Sequence, residues 1–284
     1  MGKATVYYIM HTERCVAQVS TAGECKTYFE DFMPYDLVLK ESNDFDTRIN
    51  NVISFHSWCA SRLIPRDRTY AKEILNSIDA SQNVTDRERA QIALSYHCLS
   101  LLDVFWVKEE NETVRFEDTN LYTHSLSNAL VDIALRGHQM AVTNAHLLAN
   151  DLSTGGCYPK AWVHKEEGFY LYKAGGQDAV EREVLASKIC RCFDCHQVLY
   201  EQGMFENELV SISRIMTSQR YNLVTYAAYD VYCTNHDWNT LDKMLELDAH
   251  GYYMMNILDY LVGNTDRHWE NWGLLVDNAI CLSV

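Results

Sequence analysis

The sequence predicts an α+β protein built on antiparallel sheet. Three observations carry this. Runs of aromatic and β-branched residues open the chain, helical periodicity follows, and beyond residue 150 two strands joined by a short turn lead into a helix. The chain has 284 residues, enough for one large domain or two smaller ones. Hydrophobic residues make up 48%, which supports a sizeable core, and three prolines suit a helix-rich chain with few rigid linkers.

The first 145 residues read as a mixed subdomain, strands and then helices. Thr5-Val6-Tyr7-Tyr8-Ile9-Met10 and Cys15-Val16-Ala17-Gln18-Val19 read as strands around a turn at Thr12-Glu13-Arg14. A mostly helical stretch follows. Its clearest helix is expected over 86–106, with Ile92, Leu94, Tyr96, Leu99, Leu102 and Phe105 as apolar positions and Thr85 or Asp86 as cap. Further helices are expected over 70–78 and over 126–136, the latter ending at Gly137. A boundary is placed near 145.

Residues 146–233 read as a second domain. Asn150-Asp151-Leu152-Ser153-Thr154-Gly155-Gly156 is a turn-rich loop. Strands over 160–165 and 168–174 join at Glu166-Glu167-Gly168, and alternation puts Phe169, Leu171 and Lys173 on one face. Residues 177–193 carry Val180, Val184, Leu185, Ile189, Cys192 and Phe193 along one helical stripe. Strands are expected over 209–215 and 221–233. The remainder, 234–284, starts with a helix over 240–262, disturbed at Gly251. A hairpin over 272–276 and 279–282 then turns at Asp277-Asn278.

Charge and targeting signals narrow the function. A net charge of −15 argues against general nucleic-acid binding, which relies on Lys and Arg at phosphates, but leaves room for a local basic pocket. Met1-Gly2-Lys3-Ala4-Thr5-Val6 lacks an apolar signal core, and Val6 breaks the myristoylation pattern. No stretch of about 18 apolar residues is present to span a membrane. The expectation is a cytoplasmic protein without a membrane partner, its ten cysteines reduced.

The most specific motif is Asp266-Arg267-His268-Trp269-Glu270-Asn271. An Asp-x-His-x-x-Asn layout suits phosphoryl transfer: a carboxylate beside the attacking hydroxyl, and an amide oxygen a few residues on for Mg²⁺. The order before it fits the same chemistry. The Ser153-Thr154-Gly155-Gly156 loop lets backbone amides approach phosphates. Lys173 would bind phosphate oxygens, and Glu183 or Glu181 on the next helix would hold that lysine.

In this order the residues resemble the HipA-like Ser/Thr kinases, a bacterial branch of the protein-kinase-like fold. Ser153-Thr154-Gly155-Gly156-Cys157-Tyr158-Pro159-Lys160 resembles their nucleotide loop. Phe169-Tyr170-Leu171-Tyr172-Lys173 resembles the strand with the ATP lysine, and Glu183-Val184-Leu185-Ala186 the helix with its glutamate. Asn264 to Asn271 resembles the catalytic loop. Trp58, Arg62 to Arg66, and Leu99 to Trp106 resemble the N-terminal region of a subgroup.

The resemblance implies a kinase small lobe over 146–233 and the start of a helical large lobe over 234–284. It implies ATP and Mg²⁺ as cofactors, with Ser153, Thr154, Gly155, Gly156, Lys160, Lys173 and Glu183 at the nucleotide. Asp266 is then the catalytic carboxylate, His268 a brace for its loop, and Asn271 the metal ligand. Ser153 and Thr154 are also candidate autophosphorylation sites. The implied partners are a protein substrate of unknown identity and a DNA-binding antitoxin.

The family pattern has a second metal-binding Asp after the hairpin. Only Asp277 is acidic after Asn271, and a turn tip is a poor place for that role. The large lobe is therefore expected to be truncated and activity reduced, with a catalytically dead binding module as the alternative. Cys192-Phe193-Asp194-Cys195-His196 matches a haem-attachment spacing, and with Cys190 a zinc spacing. Adjacent Cys195 and His196 ligate one metal awkwardly, so thiols without a metal are the expectation.

Overall fold

A strand that opens a chain needs a partner for its backbone polar groups, and here Val6–His11 (β1) finds one on each side. It pairs antiparallel with Arg14–Ser20 (β2) through a tight turn at Thr12 and Glu13, where Thr12 adopts a left-handed φ of 52°. Its other edge pairs with Phe105–Glu109 (β4). With Cys25–Thr27 (β3) the sheet order is β3-β2-β1-β4. The structure is a computed structural model and describes residues 4–63, 85–124, 160–205 and 207–279. The helices expected over 70–78 and 126–136 lie outside these residues.

The described residues form a mixed α+β architecture with antiparallel sheets, divided into two compact units. The first takes residues up to 156 with 217–223 and 275 onward; the second takes 157–216 and 224–274.

In the first unit, Phe45–Ser61 (α1) starts at Asp44, whose carboxylate accepts the Thr47 N–H at 2.8 Å. Its inner face carries Phe55, Trp58 and Cys59, and Phe55 stacks on Tyr7 of β1 at 5.4 Å. Asn51 is buried on the same helix. Its amide donates to the Gly23 and Lys40 carbonyls and accepts the Lys40 N–H, so the polar group is satisfied inside the core.

Asp86–Ser95 (α2) starts with a reciprocal capping box between Thr85 and Glu88. The helix expected over 86–106 stops at Ser95. His97 and Cys98 take left-handed backbones, and the chain re-enters as β4. Two forces outweigh helical periodicity there. Phe105, Trp106 and Val107 are good strand formers that close the open edge of β1. Arg62 forks onto Asp103 at 2.9 and 2.7 Å and donates to the Phe105 carbonyl, fixing the incoming chain. The one-turn helix Phe116–Thr119 (α3) follows.

The second unit is built on a sheet of order β5-β6-β8-β7, from Lys160–Lys165 (β5), Gly168–Ala174 (β6), Tyr200–Phe205 (β7) and Glu208–Arg214 (β8). Gln177–Cys190 (α4) connects β6 to β7 and packs against β7 and β8 through Val180, Val184 and Ser187. Tyr221–Thr225 (β9) is shorter than the strand expected over 221–233. Thr225 caps a helix instead, accepting the Ala228 N–H, and Tyr226–Asn235 (α5) buries Tyr229 and Cys233 one turn apart.

Thr240–Val262 (α6) packs against α5 and α4. Its irregularity lies at Asp248, three residues before Gly251. Asp248 has a non-helical backbone, and its carboxylate accepts the Gly251 N–H, which recaps the second half. Among the described residues Gly273–Asp277 (β10) pairs with β9. The hairpin partner expected over 279–282 falls almost wholly outside the described residues. No helix among them is long and apolar enough to cross a membrane.

Candidate functional site

The central strand β6 carries Lys173 between β5 and β8. Across β5, Lys173 is in register with Lys160; across β8, with Ser211. Register partners project from the same face, so this face gathers two ammonium groups and a hydroxyl. The helix α4 follows β6 and returns over the sheet, bringing Glu183 to Lys173 with Nζ to Oε1 at 2.6 Å. Ser211, buried, donates its hydroxyl to the other carboxylate oxygen of Glu183. Tyr200, at the start of β7, sets its ring 4.2 Å from the Lys173 ammonium.

Burial works against a charge on Lys173. Tyr200 and Glu183 outweigh it and hold the ammonium pKa above its ordinary value. Lys173 therefore stays a cation, oriented from two sides, in a half-buried place where its charge is less screened than on an open surface. Glu181, the other candidate partner, is exposed and accepts from Gln177 instead. The loop residues Ser153, Thr154, Gly155 and Gly156 lie outside the described residues.

Asp266, His268 and Asn271 lie on the loop after α6. The helix ends at Gly263 with a left-handed φ of 68°, which glycine adopts without a Cβ clash. A clamp then shapes the turn. Arg267 reaches back to Asp259 with a bidentate pair at 2.8 and 2.7 Å, and Asn264 donates to the same carboxylate at 2.8 Å. Burial raises the Asp259 carboxyl, but Arg267 and Asn264 prevail and hold it below its ordinary value.

Within the loop, the Asn271 side-chain amide donates to the Asp266 carbonyl at 2.7 Å, and the Asn271 N–H bonds the His268 carbonyl at 3.0 Å. The His268 ring accepts the Glu270 N–H at 3.3 Å, a bracing contact. The Asp266 carboxylate is exposed on this frame. The far side of the loop is fastened to α5. The Tyr226 and Ala227 N–H groups, unsatisfied at a helix start, are taken by the Trp272 and Trp269 carbonyls, and Tyr226 stacks on Trp272 at 4.5 Å. Gly273 fits because a Cβ there would lie 2.0 Å from the Val224 carbonyl oxygen.

The structure thus forms two groups inside the second unit: Lys160, Lys173 and Glu183 on the sheet and α4, and Asp266, His268 and Asn271 on one braced loop. Helix α4 links them in part, since it packs against both the sheet and α6. Sequence reading did not find Ser211, Tyr200 or Asp259. Their roles depend on strand register and on a contact between a helix and the loop after it, which leave no local motif.

With its amide nitrogen committed to Asp266, Asn271 keeps its side-chain oxygen as the one atom of the loop's amide suited to Mg²⁺. Among the described residues no three His, Cys, Asp or Glu side chains gather as a metal cradle, Cys190, Cys192, Cys195 and His196 included. Asp277 is committed elsewhere. Its oxygens accept from Arg220 at 2.9 Å and from the Ala279 N–H at 2.9 Å, both in the first unit. Among the described residues, Asn271 is the one on this loop whose side-chain amide oxygen would be offered to a magnesium ion.

No protein-family model matches the chain, and no curated protein matches it significantly.

Proposed function

We propose that the second unit is a nucleotide-binding lobe of protein-kinase type, related to the HipA-like Ser/Thr kinases, that transfers the ATP γ-phosphate to a protein hydroxyl. The observation that carries this reading is the Lys173–Glu183 pair on a central strand and the helix that follows it, buttressed by Ser211 and Tyr200. A lysine fixed in this way presents its charge to phosphate oxygens with little reorganisation. The in-register Lys160 shares that face of the sheet.

In this reading Asp266 accepts or orients the proton of the acceptor hydroxyl. His268 and the Asp259–Arg267 clamp hold the loop, and Asn271 supplies the protein oxygen for magnesium. Magnesium, when bound, would neutralise charge on the β- and γ-phosphates. The engaged state of Asp277 favours a second reading, a nucleotide-binding module with little phosphotransfer, because one amide oxygen is a sparse protein contribution to the metal.

Transfer of labelled γ-phosphate to the chain itself and to a generic Ser/Thr acceptor, in wild type and Asp266→Asn, tests the kinase reading. The expected loss in the variant is roughly 10²-fold or more, at the low end for removing a catalytic base, with nucleotide affinity retained. Equal phosphorylation by the variant removes Asp266 from this role. Nucleotide binding without transfer in either protein selects the module.

A further inference from the structure

Helix α4 reaches the Lys173 ammonium by two routes, and only one of them is a direct contact. Glu183 and Ser187 lie four residues apart and so share one face of α4. Glu183 bonds the ammonium itself at 2.6 Å. Ser187, 5% exposed, turns instead to the start of β7, where its hydroxyl oxygen accepts the Tyr200 N–H at 2.9 Å. Among the described residues β7 is an edge strand, with β8 on one side alone, and the helix supplies the acceptor for this N–H.

The Tyr200 ring has to travel to reach Lys173. Tyr200 is in register with Ser213, and Ser213 with Leu171, one row along from the row of Ser211 and Lys173. The ring therefore crosses β8. It can do so because the β8 residues on that face are Ser211 and Ser213, both small and both buried. Its centroid then lies 4.2 Å from the Lys173 ammonium nitrogen. Where the ring sits depends on where the Tyr200 backbone is held.

We propose that Ser187 is a positioning residue for Lys173: by holding the Tyr200 N–H it fixes the ring that faces the ammonium, so that one face of α4 sets both partners of the lysine. For its part in phosphoryl transfer the inference rests on the reading of Lys173 as the phosphate-binding lysine. Ser187→Ala removes the acceptor with little change of volume. The Tyr200 N–H then loses its partner, the start of β7 loosens, and the ring leaves its place over the ammonium.

The test is a nuclear magnetic resonance spectrum of the full chain at neutral pH without nucleotide, with the lysine ε-carbons labelled and the Lys173 signal assigned by its loss in Lys173→Met. An aromatic ring facing the end of a lysine shifts the ε-methylene protons upfield. That upfield shift is expected in wild type, is lost in Tyr200→Leu, and is reduced in Ser187→Ala. Ser187→Thr, which keeps the hydroxyl, restores it. On the Tyr200→Leu background Ser187→Ala should move the signal no further, because the ring it acts through is gone. The double variant decides the matter even where the added methyl of Ser187→Thr does not fit. A purely structural serine would lower the Tm of its variants and leave the ring-dependent shift in place. An unchanged Lys173 signal in Ser187→Ala, or an equal displacement on the Tyr200→Leu background, overturns the proposal. The thermal shift with ATP, read on the same wild-type sample, separates the two claims: its absence removes the nucleotide reading and does not alter the Lys173 spectrum.

Discussion

Lys173 is a residue whose surroundings are organised around its charge. Glu183 meets the ammonium, Ser211 holds Glu183, and Tyr200 faces the ammonium from β7, beyond β8. The strand and helix that bring Lys173 and Glu183 together could be read in the sequence, because alternation on 168–174 and periodicity over 177–193 are both strong, although the helix stops at Cys190. Ser211 and Tyr200 could not, because they arrive by register from strands 26 or more residues away, and a serine or tyrosine in a strand carries no signature of its partner. Asp259 escaped for a related reason: an aspartate on an amphipathic helix looks solvated until Arg267 folds back onto it.

That clamp gives a pH prediction. The Asp259 carboxyl lies below its ordinary value of 3.8 in the folded chain. A depressed carboxyl stabilises fully above the unfolded value, and the contribution fades as pH falls through the lowered folded value. The difference in Tm between wild type and Asp259→Asn should therefore be open at neutral pH and close below about pH 4, the unperturbed Asp range. A difference that is the same at both pH values contradicts the clamp.

Among the elements, helices and strands with an uninterrupted pattern could be read, and those decided by tertiary contacts could not. Strands β1, β2, β5 and β6 and helices α4 and α6 follow the expected periodicity. The run from 86 to 106 kept an apolar rhythm past Ser95, yet β1 had an open edge, and Phe105-Trp106-Val107 filled it. The run from 221 to 233 is rich in aromatic and apolar residues that suit either state; the Thr225 cap and the loop carbonyls at Tyr226 and Ala227 decide for helix. The junction between β9, β10 and the loop is tight at Gly273. Gly273→Ala should cost about 1–3 kcal/mol, the range for overpacking, because the new Cβ meets Val224 backbone and not a flexible side chain. Urea denaturation of the variant measures this, and an unchanged midpoint would mean that β9 moves aside freely.

On the scale of the whole molecule, the first unit is centred on a buried ion pair. Arg62 meets Asp103 at 2.7 Å, donates to two backbone carbonyls, and lies over the Trp58 ring at 4.8 Å. Removing one partner of such a pair strands the other in the core. Arg62→Ala should destabilise the chain by about 3–5 kcal/mol, far above a surface ion pair. Circular dichroism during thermal unfolding checks this, and a loss under about 1 kcal/mol would place the pair among surface contacts. Within a chain of net charge −15, Lys160 and Lys173 share one face of the sheet.

In the proposed reading Lys173 is set to receive a nucleotide phosphate. The most direct measurement is the thermal shift of the folded chain with ATP, with and without Mg²⁺, in wild type and Lys173→Met. A shift in wild type that is larger with Mg²⁺ and abolished by Lys173→Met is expected, by the linkage of ligand binding to stability. No shift in wild type, or the same shift in the variant, would contradict it.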